Sequence, residues 1–138
     1  PAPDGKGRFV WGDSYYNTGA WIDGPSRHGF VAIASLGKGK CYYMSSDLHS
    51  EGRQFELHVW NPADLGAAVF GQKPTWNVKP SRMVELQLLG MGGTALTSSP
   101  PANSIGGATY DPVTQRLYLA GFGVNLYWTR IYVYQVMV

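Results

Sequence analysis

The sequence predicts an all-β fold built from antiparallel sheets, and three observations support this class. Eighteen glycines and nine prolines leave few windows for a long helix, because an interior Gly costs about 1 kcal/mol and an interior Pro about 3 kcal/mol relative to Ala. Several segments alternate apolar and polar side chains, as strands with one buried face do. Turn-forming Gly, Pro, Asn and Asp residues separate these segments.

Composition restricts the classes of function. Charged residues make up 14% of the chain, compared with about 25% in an average soluble domain. The net charge is only +2 and no basic stripe is present, so we expect no nucleic-acid partner. A helix needs about 20 consecutive apolar residues to cross a bilayer, and no apolar run approaches that length, so we expect no membrane span. Cys41 is the only cysteine, which excludes an intrachain disulfide and a thiolate zinc site.

The first half of the chain predicts strands separated by glycine-rich connections. We expect a loop over residues 17–26, where Asn, Gly, Asp and Pro provide turn chemistry. Residues 29–35 predict an inner strand buried on both faces. Residues 36–40 are interpreted as the turn of a hairpin that leads to a strand over 41–44. After a polar loop over 45–53, alternation over 54–60 predicts a half-solvated outer strand with His58 on its solvated face.

A short helix is predicted near residues 62–70. Asn61 suits the N-cap, Pro62 the first helical position, and Asp64 the first turn, where a negative charge is favourable. Gly71 provides the C-terminal stop, since glycine readily adopts the left-handed conformation that ends helices.

The second half predicts a further strand over residues 83–88, a loop over 90–104, and then the clearest hairpin in the chain. Its strands cover 105–110 and 116–121, and Asp111-Pro112-Val113-Thr114-Gln115 forms the turn. A last strand is expected over 130–136.

Two stretches share one order of elements: a Gly-rich strand, a turn, a second strand, a variable loop and an aromatic strand. The first runs from His28 to Trp60 and the second from Gly106 to Val136. Radially repeated four-stranded sheets produce such weak repeats, because each blade of a β-propeller buries both faces against its neighbours. The sequence therefore predicts about two propeller blades, with a first unit over residues 1–80 and a closing blade over 81–138.

The run Gly106-Gly107-Ala108-Thr109-Tyr110-Asp111-Pro112, followed by Arg116-Leu117-Tyr118, resembles the closing blade of uncharacterised bacterial β-propeller proteins. Residues 58–65 and 76–80 resemble the outer strand and connector of the preceding blade. This resemblance implies an architecture and carries no catalytic residues. Because two blades cannot close a ring, we expect the remaining blades of a larger propeller or further copies of this chain as partners.

Candidate chemistry is sparse. His28, His49 and His58 show no metal-ligand spacing, Asp111 is interpreted as a turn former, and Cys41 as a structural thiol in a strand; we expect no metal, cofactor or catalytic residue. Aromatic residues are more informative, since exposed rings either pack between blades or anchor a ligand or protein partner. The proposed ligand- or partner-binding residues are Tyr15, Tyr16, Trp21, Tyr127 and Trp128.

The leading functional hypothesis is a non-enzymatic, extracytoplasmic propeller module for protein assembly or ligand binding. One alternative is a carbohydrate-binding lectin that forms a propeller by oligomerisation. Another is part of a propeller enzyme whose active site lies at the ring axis. A fold of this kind hosts many unrelated functions, so the architecture alone does not choose among them.

Overall fold

A computed structural model describes residues 15–25, 28–44, 47–88, 104–124 and 128–137. Within these ranges most of the backbone forms antiparallel strands, together with one α-helix and one short 3-10 helix, which confirms the predicted all-β class. The strands form one four-stranded and one three-stranded sheet. In the described part of the chain the two sheets stay separate and do not close into a barrel.

The first sheet is an antiparallel meander in which neighbours in sequence are neighbours in space. Its strands are β1 (Tyr15–Asp23), β2 (His28–Met44), β3 (Asp47–Trp60) and β4 (Arg82–Leu86). β4 pairs with β3, so strand pairing places the boundary between the two sheets after Leu86.

Three loop or turn predictions in this sheet are wrong. Most of the expected loop over 17–26 belongs to β1. The turn-forming Asn17 lies at an irregularity in the pairing of β1 with β2, between Tyr16 and Thr18. The expected hairpin turn over 36–40 lies inside β2, where the register shifts between Lys38 and Cys41. Glycine suits a β-bulge as well as a turn. Most of the expected polar loop over 45–53 is instead the beginning of β3, where it pairs with β2.

The predicted helix is confirmed as α1 (Pro62–Val69). The Asn61 side chain caps it by accepting a hydrogen bond of 2.9 Å from the Ala63 N–H. Gly71 follows the helix with φ of +70°, the left-handed conformation expected of a stop residue. Lys73 then pairs with Asp64 at 2.7 Å, and the 3-10 helix Thr75–Asn77 leads toward β4.

The second sheet contains β5 (Ser104–Asp111), β6 (Arg116–Val124) and β7 (Trp128–Gln135), and the predicted hairpin is confirmed. The Asp111 carboxylate accepts hydrogen bonds from the Val113 N–H at 2.9 Å and the Thr114 hydroxyl at 2.6 Å. The Thr114 bond, followed by the Val113 bond, holds the pKa of Asp111 below its usual value. Asp111 therefore closes the turn, as predicted.

One apolar core lies between the two sheets. β1, β2 and β3 contribute Ile22, Val31, Ile33 and Phe55, Leu88 follows β4, and the second sheet contributes Ile105, Leu117 and Leu119. β1 and β5, the first strand of each sheet, are the elements of opposite sheets that approach most closely. Each sheet therefore has one core face and one outer face.

Two glycines permit close aromatic packing within the sheets. The ring of Phe30 on β2 lies over Gly19 on β1, and the ring of Phe122 on β6 lies over Gly106 on β5. A β-carbon at Gly19 would lie 2.5 Å from the Phe30 ring and 2.7 Å from the Val31 carbonyl oxygen. An aromatic ring that covers a strand glycine shields backbone that would otherwise be exposed.

We expect Gly19→Ala to destabilise the fold by about 1–3 kcal/mol, because the methyl group forces the ring and the strand backbone apart. Gly66→Ala is the matched control: nothing lies within 4 Å of its added β-carbon, and the helix should gain up to about 1 kcal/mol. Urea unfolding monitored by tryptophan fluorescence measures both changes. Equal stability of Gly19→Ala and the parent chain would contradict the packing described above.

Candidate functional site

The outer face of the first sheet carries the residues of greatest functional interest, and we call it the aromatic face. Strand alternation and register place on it Tyr16, Trp21, Phe30, Gln54, Glu56, His58 and Trp60. Side-chain contacts join Tyr16 to His58 and Trp60, and Trp21 to Phe30. Strand register places Phe30 opposite Trp60 and so brings the two groups side by side. The face is therefore a continuous surface that combines aromatic rings with a polar centre.

The polar side chains of β3 are buried, so the prediction of a half-solvated outer strand is wrong. Gln54, Glu56 and His58 are 9%, 6% and 5% exposed. β3 has strand neighbours on both sides, with β4 at its outer edge. The Tyr16 ring also lies edge-on against His58, with a centroid distance of 5.4 Å, and 6.3 Å from the Trp60 ring. The polar residues of β3 therefore form the buried centre of the aromatic face, whereas Tyr16 and Trp21 on the same face are exposed.

These buried groups form a continuous hydrogen-bonded network. The Tyr16 hydroxyl lies 2.8 Å from His58 Nδ1, and His58 Nε2 lies 3.0 Å from Glu56 Oε2. The Gln54 amide donates to the other Glu56 oxygen at 2.7 Å. With Glu56 ionised and His58 neutral, Nε2–H donates to the carboxylate and the Tyr16 hydroxyl donates to Nδ1. The network joins β1 to β3 across β2.

The chemistry of the network favours a structural role. Burial of the phenol and the negative charge of Glu56 both raise the pKa of Tyr16, so its hydroxyl stays protonated and donates a hydrogen bond. A carboxylate–histidine pair can activate a nucleophile, but here the remaining imidazole nitrogen meets a phenol that ionises less readily than usual. The network therefore holds the aromatic ring of Tyr16 in place over β3.

We expect Glu56→Ala to destabilise the chain by about 1–3 kcal/mol, because the buried His58 and Gln54 donors lose their acceptor. Glu85→Ala is the matched control, since Glu85 lies opposite Glu56 on β4 and is exposed. Its removal should change stability by no more than about 0.5 kcal/mol. Equal effects of the two substitutions in urea unfolding would show that the network contributes nothing.

The end of the β1–β2 hairpin presents a different set of groups. Trp21 is 59% exposed, and its ring meets Phe30 edge-on at a centroid distance of 5.5 Å. Asp23 and His28 lie directly opposite each other, and the Asp23 carboxylate is hydrogen-bonded to His28 Nδ1. This end of the face therefore combines an exposed indole with an exposed acid–imidazole pair.

Of the five aromatic residues proposed from sequence, Tyr16 and Trp21 share the aromatic face. Tyr15 begins β1 and Trp128 begins β7, but their side chains lie outside the described part of the structure, as does the whole of Tyr127. Sequence analysis did not select Phe30, Asp23 or His28 for this site. Only the register of the hairpin brings these three residues beside Trp21.

Comparison with family models, with curated proteins and with solved structures found no match to this chain. Within the described ranges, no group of three or more His, Cys, Asp or Glu side chains is arranged to hold a metal ion. None of the helices in those ranges combines the length and apolarity needed to cross a membrane.

Proposed function

We propose that this chain is a non-enzymatic β-propeller module, a portion of a larger ring, that mediates protein assembly or ligand binding. The observation that carries the proposal is that both sheets have apolar side chains exposed on their outer faces. A soluble protein rarely leaves a contiguous apolar patch uncovered, and such patches mark interaction sites.

The outer face of the second sheet illustrates this most clearly, and we call it the Ile131 face. It contains Tyr118, Ala120, Phe122, Ile131 and Val133. Ala120 lies opposite Ile131, and Tyr118 lies opposite Val133, so these side chains are contiguous. Ile131 is 55% and Val133 52% exposed. A further sheet packed on this face would bury these side chains, as each blade of a propeller buries its neighbour's face.

The strand order is consistent with the same proposal. Each sheet is an antiparallel meander, and the two sheets approach most closely at their first strands, β1 and β5. In a propeller, the first strands of successive blades surround the axis and the sheets diverge outward. The resemblance of residues 106–118 to propeller blades adds sequence support. The sheets that cover the outer faces come from the same polypeptide or from further copies of it.

Carbohydrate binding is the second candidate, and the exposed indole of Trp21 favours it. An enzyme built at the ring axis has weaker support. Tyr16, His58 and Glu56 form a hydrogen-bonded network in which His58 has both ring nitrogens engaged. The Asp23–His28 pair lies exposed at the end of a hairpin, where it suits contacts with a bound ligand. A binding module therefore accounts for more of the observed geometry.

Thiol labelling of the intact native protein tests whether the Ile131 face is covered. We expect Val133→Cys to react with a maleimide at least about tenfold more slowly than Val113→Cys, because its thiol must wait for the interface to open. Val113 is the control, since it is 90% exposed in the β5–β6 turn. Labelling of the parent chain measures the contribution of Cys41. Unfolding in urea should make the labelling rates of the two variants equal. Equal rates in the native protein would contradict the proposed assembly.

A further inference from the structure

We propose that the end of the β1–β2 hairpin binds a pyranose sugar. Trp21 provides the surface on which the ring stacks, and Asp23 and His28 hydrogen-bond to its hydroxyls; we call these three residues the hairpin site. The inference deepens the ligand-binding part of the proposed function. It relies on the module only for placing the hairpin site at one mouth of the ring.

Trp21 is held in place as a stacking surface would be. Its ring leans edge-on against Phe30, and Phe30 is itself seated over Gly19. Phe30 on the neighbouring strand therefore supports the indole, while more than half of the Trp21 side chain stays accessible. A ring ordered before binding loses little conformational freedom when a ligand arrives.

A pyranose ring matches such a surface because one side of the ring carries C–H groups and its rim carries hydroxyls. The π face of an indole is electron-rich and attracts weakly positive C–H groups. Covering the indole with this apolar side also removes it from water. The hydroxyls at the rim of the sugar then require polar partners that lie beside the indole.

Asp23 and His28 supply those partners. Their side chains are 74% and 67% exposed, and the hydrogen bond between them uses only one carboxylate oxygen and one imidazole nitrogen. The second carboxylate oxygen can accept from a hydroxyl, and Nε2 of the imidazole can donate or accept. Asp23 follows Trp21 by two residues on the same strand, a spacing of about 7 Å, which is comparable to the width of a pyranose ring.

The surroundings favour a sugar over an apolar peptide. A peptide anchored by hydrophobic side chains needs several exposed apolar contacts around the central residue. Phe30 beside Trp21 is only partly exposed. The exposed Tyr16 lies five residues back along β1, and the exposed Met83 lies on β4, two strands beyond β2. Two positions beyond Trp21 toward the end of the hairpin, strand register places the exposed Asp23 carboxylate and the exposed His28 imidazole.

Binding of defined oligosaccharides to the intact native protein tests the proposal. The probes are cellotetraose, chitotetraose, mannotetraose and galactotetraose, measured by isothermal titration calorimetry at millimolar concentration. We expect at least one to bind, and Trp21→Ala to weaken that binding by about tenfold or more, as loss of an aromatic anchor does. Trp76→Ala is the matched control, since Trp76 is 79% exposed and lies outside the hairpin site.

A second pair of variants separates the polar contacts from folding. Asp23→Asn should weaken binding several-fold, whereas Glu85→Gln, at another exposed carboxylate of the same sheet, should not. Trp21→Phe keeps an aromatic surface and should retain part of the affinity even if Trp21→Ala lowers the melting temperature. Full affinity in both Trp21→Ala and Asp23→Asn, or an equal loss in Trp76→Ala, would overturn the hairpin site.

The two proposals can fail separately. Slow labelling of the Val133→Cys variant, with no binding of any of the four oligosaccharides, would overturn the sugar site and leave the module intact. Sugar binding that depends on Trp21, combined with fast labelling of the Val133→Cys variant, would support the hairpin site and overturn the assembly.

Discussion

The apolar contact between the two sheets determines the arrangement of everything else. Ile33, Phe55, Leu117 and Leu119 lie where the sheets meet and are almost fully buried. Because side chains alternate along a strand, every residue turned into this core places its neighbours on an outer face. This contact covers one face of each sheet, so the aromatic face and the Ile131 face lie outside it. In the proposed assembly, further sheets would pack on these two faces.

Polar contacts then set the details of the aromatic face. The network from Tyr16 through His58 to Glu56 ties β1 to β3, although β2 lies between them. The irregular pairing after Tyr16 keeps Tyr16 and Trp21 on the same side of the sheet, although their separation along the strand is an odd number of residues. Phe30, seated over Gly19, supports the Trp21 ring from the neighbouring strand. The buried polar network therefore orients Tyr16, and the packing of Phe30 over Gly19 supports Trp21.

Sequence reasoning succeeded where structure is determined locally. The caps of α1 and the Asp111 turn depend on residues within a few positions of each other, so their chemistry is visible in the chain. It failed at residues 36–40, because glycines occur in β-bulges as well as in turns. It also failed at Gln54, Glu56 and His58, because polar–apolar alternation is the same whether the polar face is solvated or covered. Only strand pairing decides between them. For the same reason Trp21 could be selected as an aromatic candidate, whereas the Asp23–His28 pair could be found only from the register.

The two sequence repeats were aligned out of step with the sheets. The repeat paired the segment that begins at His28, in β2, with the segment that begins at Gly106, in β5, whereas the first strands of the two sheets are β1 and β5.

Hydrogen exchange in a Leu119→Ala variant tests the shared core most directly. Leu119 lies on β6 and has no exposed surface, and truncation of a buried leucine destabilises whatever cooperative unit contains it. If the two sheets share one core, amide protection should fall in β2 and β3 of the first sheet as much as in β6. A loss confined to β5, β6 and β7, with β2 and β3 protected as in the parent chain, would contradict the account.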